Sequence, residues 1–137
     1  MIKTITVEAT ILASAEKVWA YYTTPDHITK WNFADPSWHC PKVENDLRVG
    51  GKYLARMEAK DGSFGFDFEA VYKDVKKRKS FSYTMADGRV ATTVFESDGK
   101  NTKVSVTFDP EEENSIEMQK EGWQSILNSF RTYAENH

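Results

Sequence analysis

The sequence predicts an α+β domain in which a curved antiparallel sheet packs around a long C-terminal helix. Apolar and polar residues alternate with a period of two in several segments, which is typical of strands with one buried face. The last segment instead carries an apolar stripe at helical spacing. No linker, repeat or composition shift divides the 137 residues, so we expect a single domain over residues 1–137.

The first elements are predicted to be one strand followed by two short helices. Ser14 is a candidate N-cap for the first helix, and Thr24-Pro25-Asp26 interrupts it. Ile28 and Trp31 indicate one or two further helical turns. The strand shows its apolar residues at Ile5, Val7, Ala9 and Ile11, and the helix shows its own at Ala15, Val18, Trp19 and Tyr22. An irregular loop containing Phe33, Pro36, Trp38 and Pro41 is expected next.

From Gly50-Gly51 onward the pattern indicates a meander of five or six antiparallel strands. Turn sequences at Asp61-Gly62, Asp87-Gly88 and Asp98-Gly99 separate the alternating segments. The predicted inward residues are Tyr53, Ala55 and Met57; Phe64, Phe66, Phe68, Ala70 and Tyr72; Phe81, Tyr83 and Met85; Val90, Thr92 and Val94; and Val104, Val106 and Phe108.

A long amphipathic helix is predicted at the end of the chain and is expected to lie across the concave face. Asn114 and Glu117 resemble a capping box at its start. Gly122 is expected to allow close approach to the sheet. Replacement of Trp123 with alanine is expected to cost about 3 to 5 kcal/mol. The apolar stripe comprises Gln119, Gly122, Trp123, Ile126, Leu127, Phe130 and Ala134.

Charge and cysteine content narrow the class of protein. The 18 Lys and Arg residues are outnumbered by 21 Asp and Glu, giving a net charge of -3, so no nucleic-acid partner is expected. Cys40 is the only cysteine, and no apolar run is long enough for a signal peptide or a membrane span. We therefore expect a soluble cytoplasmic protein.

Motifs for catalysis or metal binding are missing from the sequence. It contains no nucleophile elbow and no glycine-rich phosphate loop. His27, His39 and Cys40 are the nearest approach to a metal-ligand group, and adjacent side chains ligate one metal poorly. No catalytic residue, metal site or cofactor is predicted, and we expect binding without turnover.

Ordered motifs along the chain resemble the START-like helix-grip superfamily, also called SRPBCC, which includes the Bet v-like fold. Within it, the chain is similar to homologues of the activator of the heat-shock protein 90 ATPase. The motifs are Ala15-Glu16-Lys17-Val18-Trp19; Thr24-Pro25 with Trp31; Asp46-Leu47-Arg48-Val49-Gly50-Gly51-Lys52-Tyr53; Met57 and Asp61-Gly62; Phe81-Ser82-Tyr83; Val94-Phe95-Glu96 with Gly99 and Thr102; and Gly122-Trp123 with Leu127.

The resemblance implies a helix-grip fold with a wedge between the sheet and the last helix. The superfamily binds lipids, polyketides and hormones, catalyses cyclisation and stimulates chaperones. Three functions follow as hypotheses: hydrophobic or aromatic ligand binding, interaction with a chaperone, and, with less support, cyclase-like chemistry.

The aromatic content, 13% of the chain, favours the first of these functions, because large rings commonly line small-molecule pockets. The ligand is expected to enter between the loop from Trp31 to Trp38 and the last helix, and the Tyr83 hydroxyl is expected to orient it. The predicted ligand-binding residues are Trp31, Phe33, Met57, Phe66, Phe68, Tyr83, Trp123 and Leu127.

Overall fold

A computed structural model describes residues 4–137 of the protein. The elements follow one another as β1 (Ile5–Ile11), α1 (Ala15–Thr23), α2 (Pro25–Ile28), β2 (Trp38–Asn45), β3 (Lys52–Ala59), β4 (Gly65–Lys76), β5 (Ser80–Met85), β6 (Val90–Ser97), β7 (Thr102–Phe108) and α3 (Ile116–Asn136). Ser14 caps α1 as predicted, because its hydroxyl accepts a hydrogen bond from the Lys17 backbone N–H.

Over residues 4–137 the strands form one seven-stranded sheet in the spatial order β1-β7-β6-β5-β4-β3-β2. Every neighbouring pair is antiparallel. Strands β2 to β7 form the meander, and β1 pairs with β7. Helix α3 packs on β1 and brings its apolar stripe to the sheet. The predicted fold, a curved antiparallel sheet around a C-terminal helix with two short helices after the first strand, is confirmed.

The first correction concerns β2, because the sequence predicted an irregular loop through Trp38 and Pro41. The structure shows an edge strand there, with a change of register between His39 and Lys42. Pro41 lies at this irregularity. Proline lacks a backbone N–H, and edge strands and bulges are the places in a sheet that tolerate that loss. The proline therefore obscured a real strand.

The second correction concerns the inward face of β6. Val90, Thr92 and Val94 were predicted to face inward, but the buried residues are Ala91, Thr93 and Phe95. Because side chains alternate with a period of two, an error of one residue exchanges the two faces. The structure places the Phe95 ring 5.2 Å from the Trp19 ring, in edge contact within the core.

The third correction concerns how deeply Phe64 and Phe66 are buried, since both were predicted on the inward face of the sheet. Phe64 precedes β4 and is 61% exposed, and Phe66 is 42% exposed. Both pack against Trp38 of the edge strand, with ring centroids 6.0 and 6.1 Å away. These three rings, Trp38, Phe64 and Phe66, form an edge aromatic cluster at the end of the β3–β4 hairpin.

Helix α3 begins one residue later than predicted. Ser115, not Asn114, is the N-cap, and its hydroxyl accepts a hydrogen bond from the Met118 N–H at 3.1 Å. Gln119 is buried because its side chain holds the preceding loop. Its Oε1 accepts from the Glu111 N–H, and its Nε2 donates to the Glu111 and Asn114 carbonyls. The loop is thereby fixed to the first turn of α3.

Gly51 and Gly122 differ in how closely other atoms approach their Cα positions. A Cβ at Gly51 would lie 2.0 Å from the Asp46 carbonyl oxygen, so close backbone approach requires glycine there. A Cβ at Gly122 would meet nothing within 4 Å, so the expected close contact between Gly122 and the sheet is not observed. Of the helices in residues 4–137, none has the length and apolar character that crossing a membrane requires.

Candidate functional site

A cavity of about 330 Å³ lies between the concave face of the sheet and α3. Its walls come from the end of α1, the turn after α2, strands β3, β4, β5 and β7, and the middle of α3. The lining residues are Tyr22, Trp31, Asn32, Tyr53, Met57, Phe66, Phe68, Tyr72, Phe81, Tyr83, Arg89, Val106, Trp123, Ile126 and Leu127. Most of this surface is aromatic or aliphatic.

Seven of the eight residues selected from the sequence line this cavity: Trp31, Met57, Phe66, Phe68, Tyr83, Trp123 and Leu127. Phe33 does not. It is partly buried just after α2, where its N–H donates to the Trp31 carbonyl in a tight turn.

Trp31 is a rigid wall of the cavity. Its indole N–H donates to the Tyr21 carbonyl at 3.0 Å, and its ring lies 4.9 Å from both Tyr22 and Phe130. The side chain is buried, so its position is set by the core as much as by the cavity. A ligand would contact a ring whose orientation is fixed before binding.

Trp123 forms the opposite wall and is only partly buried. Its indole stacks on Phe108 with 4.0 Å between ring centroids and 12° between planes. Because Trp123 also lines the cavity, its removal would enlarge an existing space as well as remove packing. We therefore expect Trp123→Ala to cost less than the 3 to 5 kcal/mol of a filled core site.

Four tyrosines, Tyr22, Tyr53, Tyr72 and Tyr83, bring hydroxyl groups to the apolar lining. The Tyr72 hydroxyl donates to Asn45 Oδ1 at 2.7 Å, and Asn45 Nδ2 donates to the Thr23 carbonyl at 2.7 Å. This network ties β4 and β2 to the end of α1. The Tyr72 hydroxyl is therefore already hydrogen-bonded within the protein.

The hydroxyls of Tyr53 and Tyr83 differ, because neither has a hydrogen-bond partner within residues 4–137. Every completely buried side-chain oxygen or nitrogen in this range of residues has a hydrogen-bond partner. These two hydroxyls therefore retain some accessible surface, and both residues line the cavity. They are free donors for a bound molecule.

Burial keeps these phenols neutral. It raises the pKa of Tyr22 to about 12 from the ordinary 10.0, and it also raises the pKa values of Tyr53, Tyr72 and Tyr83 above the ordinary value. Desolvation is the main cause at each residue, since an apolar cavity disfavours the phenolate. At neutral pH all four hydroxyls retain their protons.

A loss of stability at high pH is expected from these shifts. An unfolded tyrosine ionises near pH 10, whereas folded Tyr22 ionises near 12, so the unfolded state releases protons first. The contribution of the neutral tyrosines is complete below about pH 10 and declines as the pH rises toward about 12. Urea unfolding at about pH 8 and about pH 11 measures it. Equal free energies of unfolding at the two values would contradict the buried phenols.

Several lining residues were not selected from the sequence. Tyr22, Tyr53, Tyr72, Phe81 and Val106 had been placed on inward faces but treated as core, and Ile126 lay on the helix stripe. Asn32 and Arg89 gave no signal. Arg89 was not selected because the sequence placed the opposite set of β6 residues on the inward face.

The cavity lining contains no carboxylate, histidine or cysteine within residues 4–137. General acid–base catalysis requires a titratable group near neutral pH that reaches the substrate, and the raised tyrosine pKa values place those hydroxyls far from that range. Arg89 is the one charged group on the described lining. The arrangement can stack, enclose and hydrogen-bond a molecule.

Comparisons with known proteins agree with this architecture. A family model described as "Activator of Hsp90 ATPase homolog 1-like protein" matches residues 12–135. The comparison with curated proteins finds no match. Among solved structures, an AHSA1-like protein from Aeromonas hydrophila is 40% identical with a TM-score of 0.92, covering 98% of this chain and 93% of that one.

Two further solved structures differ widely in their sequence identity to this chain. A protein from Cytophaga hutchinsonii is 50% identical with a TM-score of 0.84, covering 97% of this chain and 92% of the other. A protein from Chromobacterium violaceum is only 23% identical, yet its TM-score is also 0.84, with 96% of each chain covered. This last likeness concerns the fold alone.

Proposed function

The chain belongs to the family of activator of Hsp90 ATPase homolog 1-like proteins, with their helix-grip fold, and on that basis we propose that it binds a hydrophobic or aromatic small molecule without turning it over. The bound molecule lies between the sheet and α3. The observation that carries this proposal is a cavity walled by rings inside an otherwise packed core.

The size and lining of the cavity support the proposal. Ligand pockets commonly occupy about 300 to 1,000 Å³, mostly apolar with a few polar groups, and 330 Å³ falls at the small end. Such a space suits a compact flat molecule better than a long acyl chain. Trp31 and Trp123 supply rigid stacking surfaces, and aromatic contacts add to the free energy of apolar burial.

The polar groups support orientation of the ligand. The Tyr53 and Tyr83 rings both line the cavity, with 5.9 Å between their centroids and 23° between their planes. A ligand oxygen beside them gains a hydrogen bond that the protein leaves unmade. Enclosure by low-dielectric walls strengthens such a bond relative to water.

The experiment is an NMR titration of isotope-labelled protein with indole, naphthamide and decanoate. We expect naphthamide and indole to shift the backbone amides of Trp123 and Leu127 and the indole N–H of Trp31 in a saturable way. Shifts confined to the convex face, for example at Val71, would contradict the proposal. So would the absence of shifts with every compound while a chaperone perturbs the same spectrum.

A second candidate function is a protein-interaction module similar to the chaperone activator for which the family is named. The observation in its favour is the edge aromatic cluster, because exposed rings grouped on a sheet edge are typical of interaction sites. Pull-down with an Hsp90-type chaperone, lost on Phe64→Ala, would favour it. Cyclase-like chemistry has less support, since the described lining lacks an acid–base pair.

A further inference from the structure

Arg89 borders both solvent and the cavity. It follows the Asp87-Gly88 turn, in which Gly88 has a φ of +91°. It precedes the buried residues Ala91 and Thr93 by two and four positions, so the alternation of side chains puts all three on the same face. The Arg89 side chain therefore points to the concave face of the sheet. The side chain is 25% exposed and also lines the cavity, so it lies where the cavity approaches solvent.

The positive charge of Arg89 is already compensated. Its Nε donates to Asp87 Oδ2 at 2.7 Å, and its Nη1 donates to the Asp109 carbonyl at 3.2 Å. The carboxylate of Asp109 also lies nearby, accepting from the Val90 N–H at 3.0 Å. A ligand carboxylate at this point would meet two protein carboxylates beside one guanidinium.

The guanidinium nevertheless keeps hydrogen-bond donors. Arginine has five N–H donors, and the two contacts above use one on Nε and one on Nη1. Within residues 4–137, Nη2 has no hydrogen-bond partner. Asp87 and Asp109 therefore hold the guanidinium in a fixed orientation while some of its donors remain free.

Resting on the function proposed above, we infer that the Arg89–Asp87 pair selects uncharged aromatic ligands that carry a hydrogen-bond acceptor over aromatic carboxylates. A neutral acceptor gains a bond from a fixed donor. An ionised carboxylate loses its hydration on entering an apolar cavity, and the compensated guanidinium repays only part of that cost. The free Tyr53 and Tyr83 hydroxyls act in the same direction, since they too are neutral donors.

The test compares two probes of matched shape, naphthamide and naphthoic acid, by isothermal titration calorimetry at pH 7. Naphthoic acid is ionised there, because carboxylic acids titrate near pH 4. We expect the wild-type protein to bind naphthamide at least about fivefold more tightly than naphthoate. Wild-type binding of naphthoate as tight as that of naphthamide would overturn the inference.

The decisive variant is Asp87→Asn, because it removes the carboxylate that compensates the positive charge of Arg89. Asparagine can keep the bond that Asp87 Oδ1 accepts from the Arg89 N–H, so the turn is preserved. Naphthoate affinity is expected to rise about five- to tenfold while naphthamide affinity changes little. Asp46→Asn is the matched control, because Asp46 pairs with Arg48 across the same two-residue spacing but neither residue lines the cavity.

The outcomes separate the two proposals. An unchanged ratio of affinities in Asp87→Asn, or an equal change in Asp46→Asn, would overturn the inference while ligand binding stands. Arg89→Met provides a second check, since it is expected to weaken naphthamide binding about fivefold by removing the donors of the guanidinium. Binding of neither probe to the wild-type protein would overturn the proposed function together with the inference.

Discussion

Replacing Phe130 with alanine is expected to lower the free energy of unfolding by about 3 to 5 kcal/mol. Phe130 has no exposed surface and lies on α3, with its ring 4.9 Å from Tyr22 and 4.9 Å from Trp31. Truncation removes the contacts that join α3 to α1 and to the turn after α2. The remaining walls are rigid rings, so the space closes poorly and the full cavity cost applies.

Urea denaturation followed by circular dichroism measures this loss. Phe64→Ala is the matched control, because the same side chain is removed from a position that is 61% exposed. We expect the control to change stability by less than about 1 kcal/mol. Equal losses in the two variants would contradict the assignment of Phe130 to the core.

Val106→Phe is expected to weaken ligand binding by at least about tenfold, which corresponds to about 1.4 kcal/mol. Val106 lies on the concave face of β7 and lines the cavity, so a larger ring there occupies the space that a ligand would fill. Calorimetry with naphthamide measures the effect. Overpacking costs about 1 to 3 kcal/mol of stability, so the heteronuclear NMR spectrum is recorded first to establish that the variant is folded.

Val71→Phe is the control for this experiment. It introduces the same ring at an exposed position on the convex face of β4. Affinity for naphthamide should be unchanged in this variant. If Val106→Phe binds naphthamide as tightly as Val71→Phe does, the ligand does not occupy the cavity.

The elements that could be predicted from the sequence are those with unambiguous patterning. In β1, every second residue from Ile5 to Ile11 is apolar and the intervening residues are polar, so only one face can be buried. The stripe of α3 is equally clear. For these segments the hydrophobic effect determines structure and orientation together, which is why the predicted fold is confirmed.

Strand β6 shows where patterning fails. Its segment Val90-Ala91-Thr92-Thr93-Val94-Phe95 places apolar residues and threonine on both faces, so composition does not determine the buried side. Tertiary contacts decide it instead, through Phe95 packing against Trp19. For the same reason Arg89 was not predicted to line the cavity, because its orientation depends on which face of β6 is buried.

The cavity itself was predictable only in part. Sequence patterning placed most of the rings that line the cavity on inward faces, and seven of the eight selected residues line one space. Whether rings on facing elements meet or leave a gap depends on helix placement and sheet curvature, which no local pattern encodes. Phe66 illustrates this, because it lines the cavity and also contacts Trp38 at the exposed edge.

The most direct measurement is a set of intermolecular nuclear Overhauser effects between naphthamide and the isotope-labelled protein. Occupation of the cavity predicts contacts from the naphthalene protons to the Val106 and Leu127 methyl groups and to the Trp123 ring, which approach the cavity from β7 and α3. Contacts limited to Phe64 and Trp38 of the edge aromatic cluster, or to Val71 on the convex face, would contradict a binding site between the sheet and α3.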